Sequence, residues 1–447
     1  MNSELKTRMP MPMPMPMPMP MPMPPSAARI TDALQPAPVD VSYGEGGYSH
    51  VESHDPLHGS VCADICASHI NSRLYYAATY RYRAADDYNG SFIRQLDEKG
   101  IAESPFASFN DYLSNQTFTP TQLVEDPDNK KLLCLGRLST GNSFTMRLWR
   151  FDADGSLDQG FASKGYIDSE ELMLGAGAIL QLTSHAHGYK LIATKDGRPF
   201  LIALDDKGEF KRGFGSDGFV DLDAALKYPL STGAGFALAA FGQNVLVTIV
   251  AVDSEHDFSL LASFNDVGVL DTGFADQGVF KAQDGTYHYG LSIHEPAMVI
   301  TLPGGHSDDY VTMYPELLRL SADGKPLAEF NGGKPVRFDT PGGWHYMHEV
   351  NGRLMGYGSF YSHNRAVCYA LEGNLDTRFV FPDGFGELGV TPYMDGFRPT
   401  IEASVAFVPD SQRLLVAGRI FRDNQKGANA VIAAISYQAG LGERPQG

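Results

Sequence analysis

Short runs of Val, Ile, Leu, Phe and Tyr recur along the chain, broken by turns built from Gly, Asp and Asn. Apolar runs so bounded predict β-strands: Gly supplies positive φ, and Asp or Asn bonds its own backbone two residues on. One stretch shows the spacing, with strands predicted at Gly235–Ala240, Asn244–Val252 and Asp257–Asn265, then a turn and a fourth short strand. Helical periodicity is almost absent; single turns are predicted at Asp221–Leu226 and Ser169–Leu172.

The strands fall into a repeat. A turn entering a strand occurs seven times, at Asn71–Tyr76, Asn129–Cys134, Gly188–Ala193, Gln243–Val247, Pro296–Ile300, Gly352–Gly356 and Gln412–Val416. From Leu74 to Leu414 these starts lie roughly 57 residues apart, a period at which each copy is one supersecondary unit that needs neighbours to bury its apolar face. The second landmark is a phrase, clearest as Arg150-Phe151-Asp152-Ala153-Asp154-Gly155-Ser156-Leu157-Asp158, then Phe161 and Gly165. Its aromatic anchor recurs as Phe109, Phe161, Phe214, Phe274, Phe330 and Phe379, six anchors against seven strand starts. The seventh copy is split. Val431–Gly440 is a strand half without an aromatic half, and Val39–Gly47, with Tyr43 in the anchor slot, supplies what is missing.

A linear stack has no need of complementary ends, whereas a ring does, because closure removes exposed strand edges. The expected fold is therefore an all-β, seven-bladed β-propeller of four-stranded antiparallel blades over residues 36–447, closed by pairing of its N- and C-terminal strands. A left-handed solenoid is the rival, and it leaves the split phrase unexplained. The phrase resembles the delta-60 repeat, a β-propeller repeat of bacterial proteins, and the likeness runs from about residue 38 to the end. It departs where a glycine is expected after the anchor: Ala162, Ala275, Asn331 and Val380 stand there. The resemblance implies a propeller with a binding role and brings no catalytic residues.

Met9–Pro24 is eight Met-Pro dipeptides. Alternating proline removes amide donors and forbids helix and sheet interior, so residues 1–35 are expected to be a disordered, extended tail outside the fold. The plain reading is a low-complexity expansion; a docking arm, or a thioether array for a soft metal, is the sharper one.

Composition narrows the partners. Asp plus Glu total 53 against 35 Lys plus Arg, a net charge of −18 that opposes phosphate backbones and anionic membrane surfaces. No stretch has the roughly 20 apolar residues of a membrane helix, and no secretory h-region follows Lys6 and Arg8. Four cysteines are too few for a disulfide scaffold. The expected setting is a reduced cytoplasm, or export by a route without a recognisable signal peptide. No nucleic acid and no membrane insertion are expected.

Three constellations carry candidate chemistry. Asp152, Asp154 and Asp158 have the spacing of calcium ligands, but free exchange of these positions between copies favours turn-making aspartates. His288, His345 and His348 lie in strands expected to line the central channel, where they could hold a divalent metal; a separation of three sets His345 and His348 on opposite sides of a regular strand. Arg398 and Glu402, with Asp64, could act there as anion clamp, acid or base. Trp344, Tyr346, Tyr287 and Tyr289 add rings of the kind that recognise sugars or peptides. No nucleophile elbow, phosphate loop or Cys-x-x-Cys pair is present. The expected function is non-catalytic binding of a protein, peptide or carbohydrate on one face, without cofactor, at Tyr287, His288, Trp344, His345, Tyr346, Arg398 and Glu402. The alternative is a hydrolase or lyase with a metal or carboxylate site at the channel.

Overall fold

The computed structural model describes most of residues 40–436; residues 1–39, 437–447 and several internal segments, the longest being 51–57 and 377–384, lie outside the described residues. The predicted tail falls outside them. After β1 (Tyr48–His50) the strands come in sheet-sized groups. The first is β2 (His58–Ala67), β3 (Leu74–Tyr82), β4 (Asn89–Leu96) and β5 (Ala102–Ser108). Next come β6 (Thr117–Asp126), β7 (Lys131–Thr140), β8 (Ser143–Phe151) and β9 (Tyr166–Asp168). Then follow β10 (Ile179–Ser184), β11 (Gly188–Lys195), β12 (Arg198–Asp205) and β13 (Phe219–Asp221), with helix α1 (Leu222–Leu226). The fourth group is β14 (Ala237–Phe241), β15 (Asn244–Val252), β16 (Asp257–Phe264) and β17 (Val279–Lys281). The fifth is β18 (Thr286–His288), β19 (Ser292–His294), β20 (Val299–His306), β21 (Tyr314–Leu320) and β22 (Val336–Arg337). After it run β23 (Gly343–Val350), β24 (Arg353–Phe360), β25 (His363–Ala370) and β26 (Phe385–Glu387), then β27 (Met394–Asp395) and β28 (Arg398–Pro399). The chain closes with β29 (Val405–Val408), β30 (Arg413–Phe421) and β31 (Ala428–Ser436).

Each group pairs antiparallel in sequence order, and β1 adds to the last sheet as β1-β31-β30-β29. Tyr48 stands opposite Ala433, and the Asp40 amide donates to the Ala434 carbonyl at 2.8 Å. The expectation of a seven-bladed propeller of four-stranded blades needs correction: among the described residues the regular four-stranded blades number six, not seven. The sheet built on β20 has five strands, because its inner strand is broken into β18 and β19, and β27–β28 is a two-stranded ribbon apart from the rest. Pro303 explains the break. It has no N–H to donate, so the ladder lapses opposite Tyr289–Leu291, and the amides of Tyr289 and Gly290 both turn to the Pro303 carbonyl. Asp221–Leu226 holds α1, capped by the Asp221 carboxylate on the Ala224 amide, while Ser169–Leu172 is a turn and not a helix.

Strand sequences are apolar on both faces because sheets cover one another face to face; in β16 every residue after Asp257 is buried. Each core is a seam between consecutive sheets. Leu133, Leu148, Tyr189 and Leu204 share one, and Ile192, Leu201, Val247 and Leu260 share the next. Inner strands meet in succession, β2 with β6, β6 with β10, β10 with β14, β14 with β19 and β19 with β23. β2 also meets β31, and the His348 ring lies 4.4 Å from Phe407 of β29, so the succession returns to its start.

Candidate functional site

The phrase is the commonest arrangement of charge in the molecule, and it is structural. Asp158 accepts from the Gly160 amide at 2.9 Å and from Arg150 Nε at 2.8 Å, with Lys131 Nζ 3.3 Å away. Burial pushes its carboxyl up, but the Gly160 amide, Arg150 and Lys131 outweigh that and hold it below the usual carboxylate range. Asp271 repeats the pattern with the Gly273 amide and Asn244, and Asp40 with the Ser42 amide and Arg413. Asp154 accepts from the Ser156 amide. These oxygens are spent on turns and cross-strand cations, which answers the calcium reading.

The anchors explain the repeat. Phe109, Phe161, Phe214, Phe274, Phe330 and Tyr43 are all buried, and Phe379 lies outside the described residues. The residue after five of the anchors donates its amide to the turn of the next sheet: Ala162 to Lys207, Gly215 to Val267, Ala275 to Asp323, Asn331 to Glu372 and Gly44 to Lys99. All five sit at φ between 45° and 55°.

The residues nominated from sequence are dispersed over different seams. His288 is 1% exposed; its amide donates to Ser259 Oγ of β16, and neither ring nitrogen has a partner among the described residues. Burial alone brings its pKa down to about 4, so the ring is neutral at physiological pH. Trp344 is fully buried in the seam core with Met347, Leu317 and Phe330, edge-on to Tyr369. His345 is the extra residue of a β-bulge, so its separation from His348 does not place the two rings; Trp344 and Met347, also three apart, share one core. The His345 ring lies 6.1 Å from Tyr289 and 5.8 Å from Tyr357, whereas Tyr346 stacks on His348 beside Phe407. Tyr287 pairs with Gly305. Only the backbone of Arg398 is described, and Glu402 lies outside the described residues. Among the described residues no three His, Cys, Asp or Glu side chains converge as metal ligands.

His345, Tyr346 and His348 share a further property. Burial drives both imidazoles down to about 4 and raises the Tyr346 phenol. For His348 a smaller contribution comes from His294. Beside them, Glu349 accepts from buried Arg319 at 2.5 Å and lies 3.3 Å from half-buried His294, a polar cluster that sequence reasoning missed because its members come from three strands. Phe407 was missed for the same reason, whereas Tyr289 was among the rings nominated from sequence. One more chain has the connectivity of nucleophile, base and acid: Thr286 Oγ1 lies 3.0 Å from His306 Nδ1, and His306 Nε2 lies 2.7 Å from Asp308. Thr286 is 0% exposed, so in this conformation no substrate meets its hydroxyl.

The profile of a β-propeller domain of unknown function (DUF5122) matches residues 129–161, the span from Asn129 to the anchor Phe161. The chain is a β-propeller. Similar solved structures include the β-propeller domain of the trilobed protease from Pyrococcus furiosus, at 9% identity and TM-score 0.46 over 84% of this chain and 95% of that one. Prolyl oligopeptidase B from Galerina marginata is similar at 10% identity and TM-score 0.47 over 85% and 48%, and the Dos1 propeller at 13% and 0.41 over 84% and 78%. None of the curated proteins matches. At such identities the likeness says nothing of chemistry. No helix among the described residues is long and apolar enough to cross a membrane.

Proposed function

We propose that this propeller is a non-catalytic binding protein that recognises a protein, peptide or glycan on one face, through the rings set along β23. The observation that carries this reading is the row of rings His345, Tyr346 and His348 along one strand, with Tyr289 of the preceding sheet 6.1 Å from His345 and Tyr346 stacked on His348. A neutral imidazole offers one donor and one acceptor and a phenol offers both, each on an apolar ring, which suits amides and sugar hydroxyls. A hydrolase would call on Thr286, His306 and Asp308, and burial of the hydroxyl weighs against it.

The test is direct binding of the full chain to peptide and glycan arrays, with a Tyr346→Ala/His348→Ala double variant. Saturable binding to one class, weakened at least ~10-fold in the variant at unchanged thermal unfolding, is the expected result. Equal binding by the variant, or binding to neither class, overturns the reading.

A further inference from the structure

Away from that seam, a cleft of about 800 Å³ opens between the end of α1, β17 and the turn at Gly324–Pro326. Leu226, Leu270 and Phe280 give it an apolar lining, and Lys227, Lys281 and Lys325 stand exposed around it. The repeat does not require Lys281 or Lys325. At the position of Lys281 the two preceding sheets carry Asp168 and Asp221, each engaged by an arginine, Arg147 or Arg198. The following sheet inverts that pair as Glu316 with Arg337. Lys281 instead stands opposite Leu260, an apolar residue, with the loop residue Asp284 at 3.4 Å and its Nζ 3.8 Å from the Phe258 ring centroid. At the position of Lys325 the earlier turns carry Ser156, Glu209 and Val269. Its partner, Asp323 at 2.6 Å, is a surface residue, and such exposed pairs are weak enough for a ligand to replace. Two departures from a repeating pattern, from different elements, thus bring positive charge to one cleft in a chain of net charge −18.

We propose that this cleft binds a small amphiphilic anion: a carboxylate, sulfonate or phosphate on an apolar body of aromatic or short aliphatic character. The volume and lining suit the body, and the ammonium groups suit the head. Asp276, which also lines the cleft, would repel a second anionic group and so favours a singly headed ligand.

The probe is 8-anilinonaphthalene-1-sulfonate, titrated by fluorescence and calorimetry into the full chain. Binding at one saturable site is expected. It should weaken at least ~10-fold in Lys281→Glu/Lys325→Glu and in the milder Lys227→Ala/Lys281→Ala/Lys325→Ala, all at exposed positions. The neutral analogue N-phenyl-1-naphthylamine should bind the native chain at least tenfold more weakly than the sulfonate, and Tyr346→Ala/His348→Ala should leave sulfonate affinity unchanged. Absence of saturable binding, undiminished affinity in both lysine variants, or equal binding of the neutral analogue overturns the proposal. The last control separates its failure from failure of the β23 reading.

Discussion

A carboxylate whose lone pairs are already engaged by amides and guanidinium groups has nothing left for a metal, and Asp158 is in that position. Its removal should be costly for a second reason. Arg150 is buried, and without Asp158 it keeps neutral partners, the Tyr189 hydroxyl and the Asp206 carbonyl, but loses its counter-charge. Asp158→Ala is expected to lower unfolding free energy by about 3 kcal/mol in urea, the loss typical of breaking a buried pair; a change under ~1 kcal/mol would make the aspartate a mere turn residue. That role was partly legible in the sequence, since Asp followed two residues later by Gly recurs at Asp271–Gly273. His288 was legible as a histidine near the inner strands but not as a buried one, because burial there depends on which sheet packs over β18. An unfolded histidine titrates near 6.5 and folded His288 near 4. Between those values the unfolded chain holds a proton that the folded one does not, so stability is full above pH 6.5 and falls as pH drops towards 4. The slope per such histidine is ~1.4 kcal/mol per pH unit. Urea unfolding at pH 7.5, 6 and 5 should show His288→Phe losing one such contribution, and identical pH slopes would show that the ring titrates normally.

Among elements, the inter-sheet hook after these five anchors carries the geometry. It needs left-handed backbone, and alanine there costs roughly 1–2 kcal/mol that glycine avoids. Ala162, at φ 49°, and Ala275, at φ 45°, are therefore local compromises. Ala162→Gly is expected to stabilise by about 0.5–1 kcal/mol in urea unfolding. The converse, Gly215→Ala, should destabilise by more, since a Cβ there would sit 2.1 Å from the Phe219 carbonyl oxygen. If both substitutions shift stability in the same direction, the φ argument fails. Anchors were readable even where the phrase decays, as at Phe109, because an aromatic must still fill the seam. The bulges were not. β2, β6, β10 and β23 each insert one residue, at Ala63, Thr121, Leu180 and His345, and a period-two reading beyond such a point assigns the wrong face. Nor was the break between β18 and β19 readable, since Pro303 acts from the partner strand, outside the segment it interrupts.

For the molecule as a whole, closure depends on a short N-terminal segment. Tyr43 is 2% exposed in the core of Leu96, Leu415 and Ile432, and Arg413 reaches both Asp40 and Ser42. β1 covers the outer edge of β31 over only three residue pairs, so the anchor and the ion pair contribute more to the seam than the ladder does. Deleting residues up to 57 would uncover β31, leave a cavity where Tyr43 packed and remove the counter-charge of Arg413. An uncovered strand edge is a template for pairing with another chain. Two truncations distinguish this from a trivial loss of length. A chain starting at residue 36 is expected to unfold at the full-length temperature and to sediment with the same association state as the full chain. A chain starting at residue 58 is expected to unfold several degrees lower and to self-associate. Tyr43→Ala in the full chain should reproduce the lower stability, about 3–5 kcal/mol for an aromatic lost from a packed core, without the self-association, because β1 still covers the edge. If the chain starting at residue 58 matches the one starting at 36 in both measurements, the strands close without their N-terminal partner and the split phrase has no role in holding the ring.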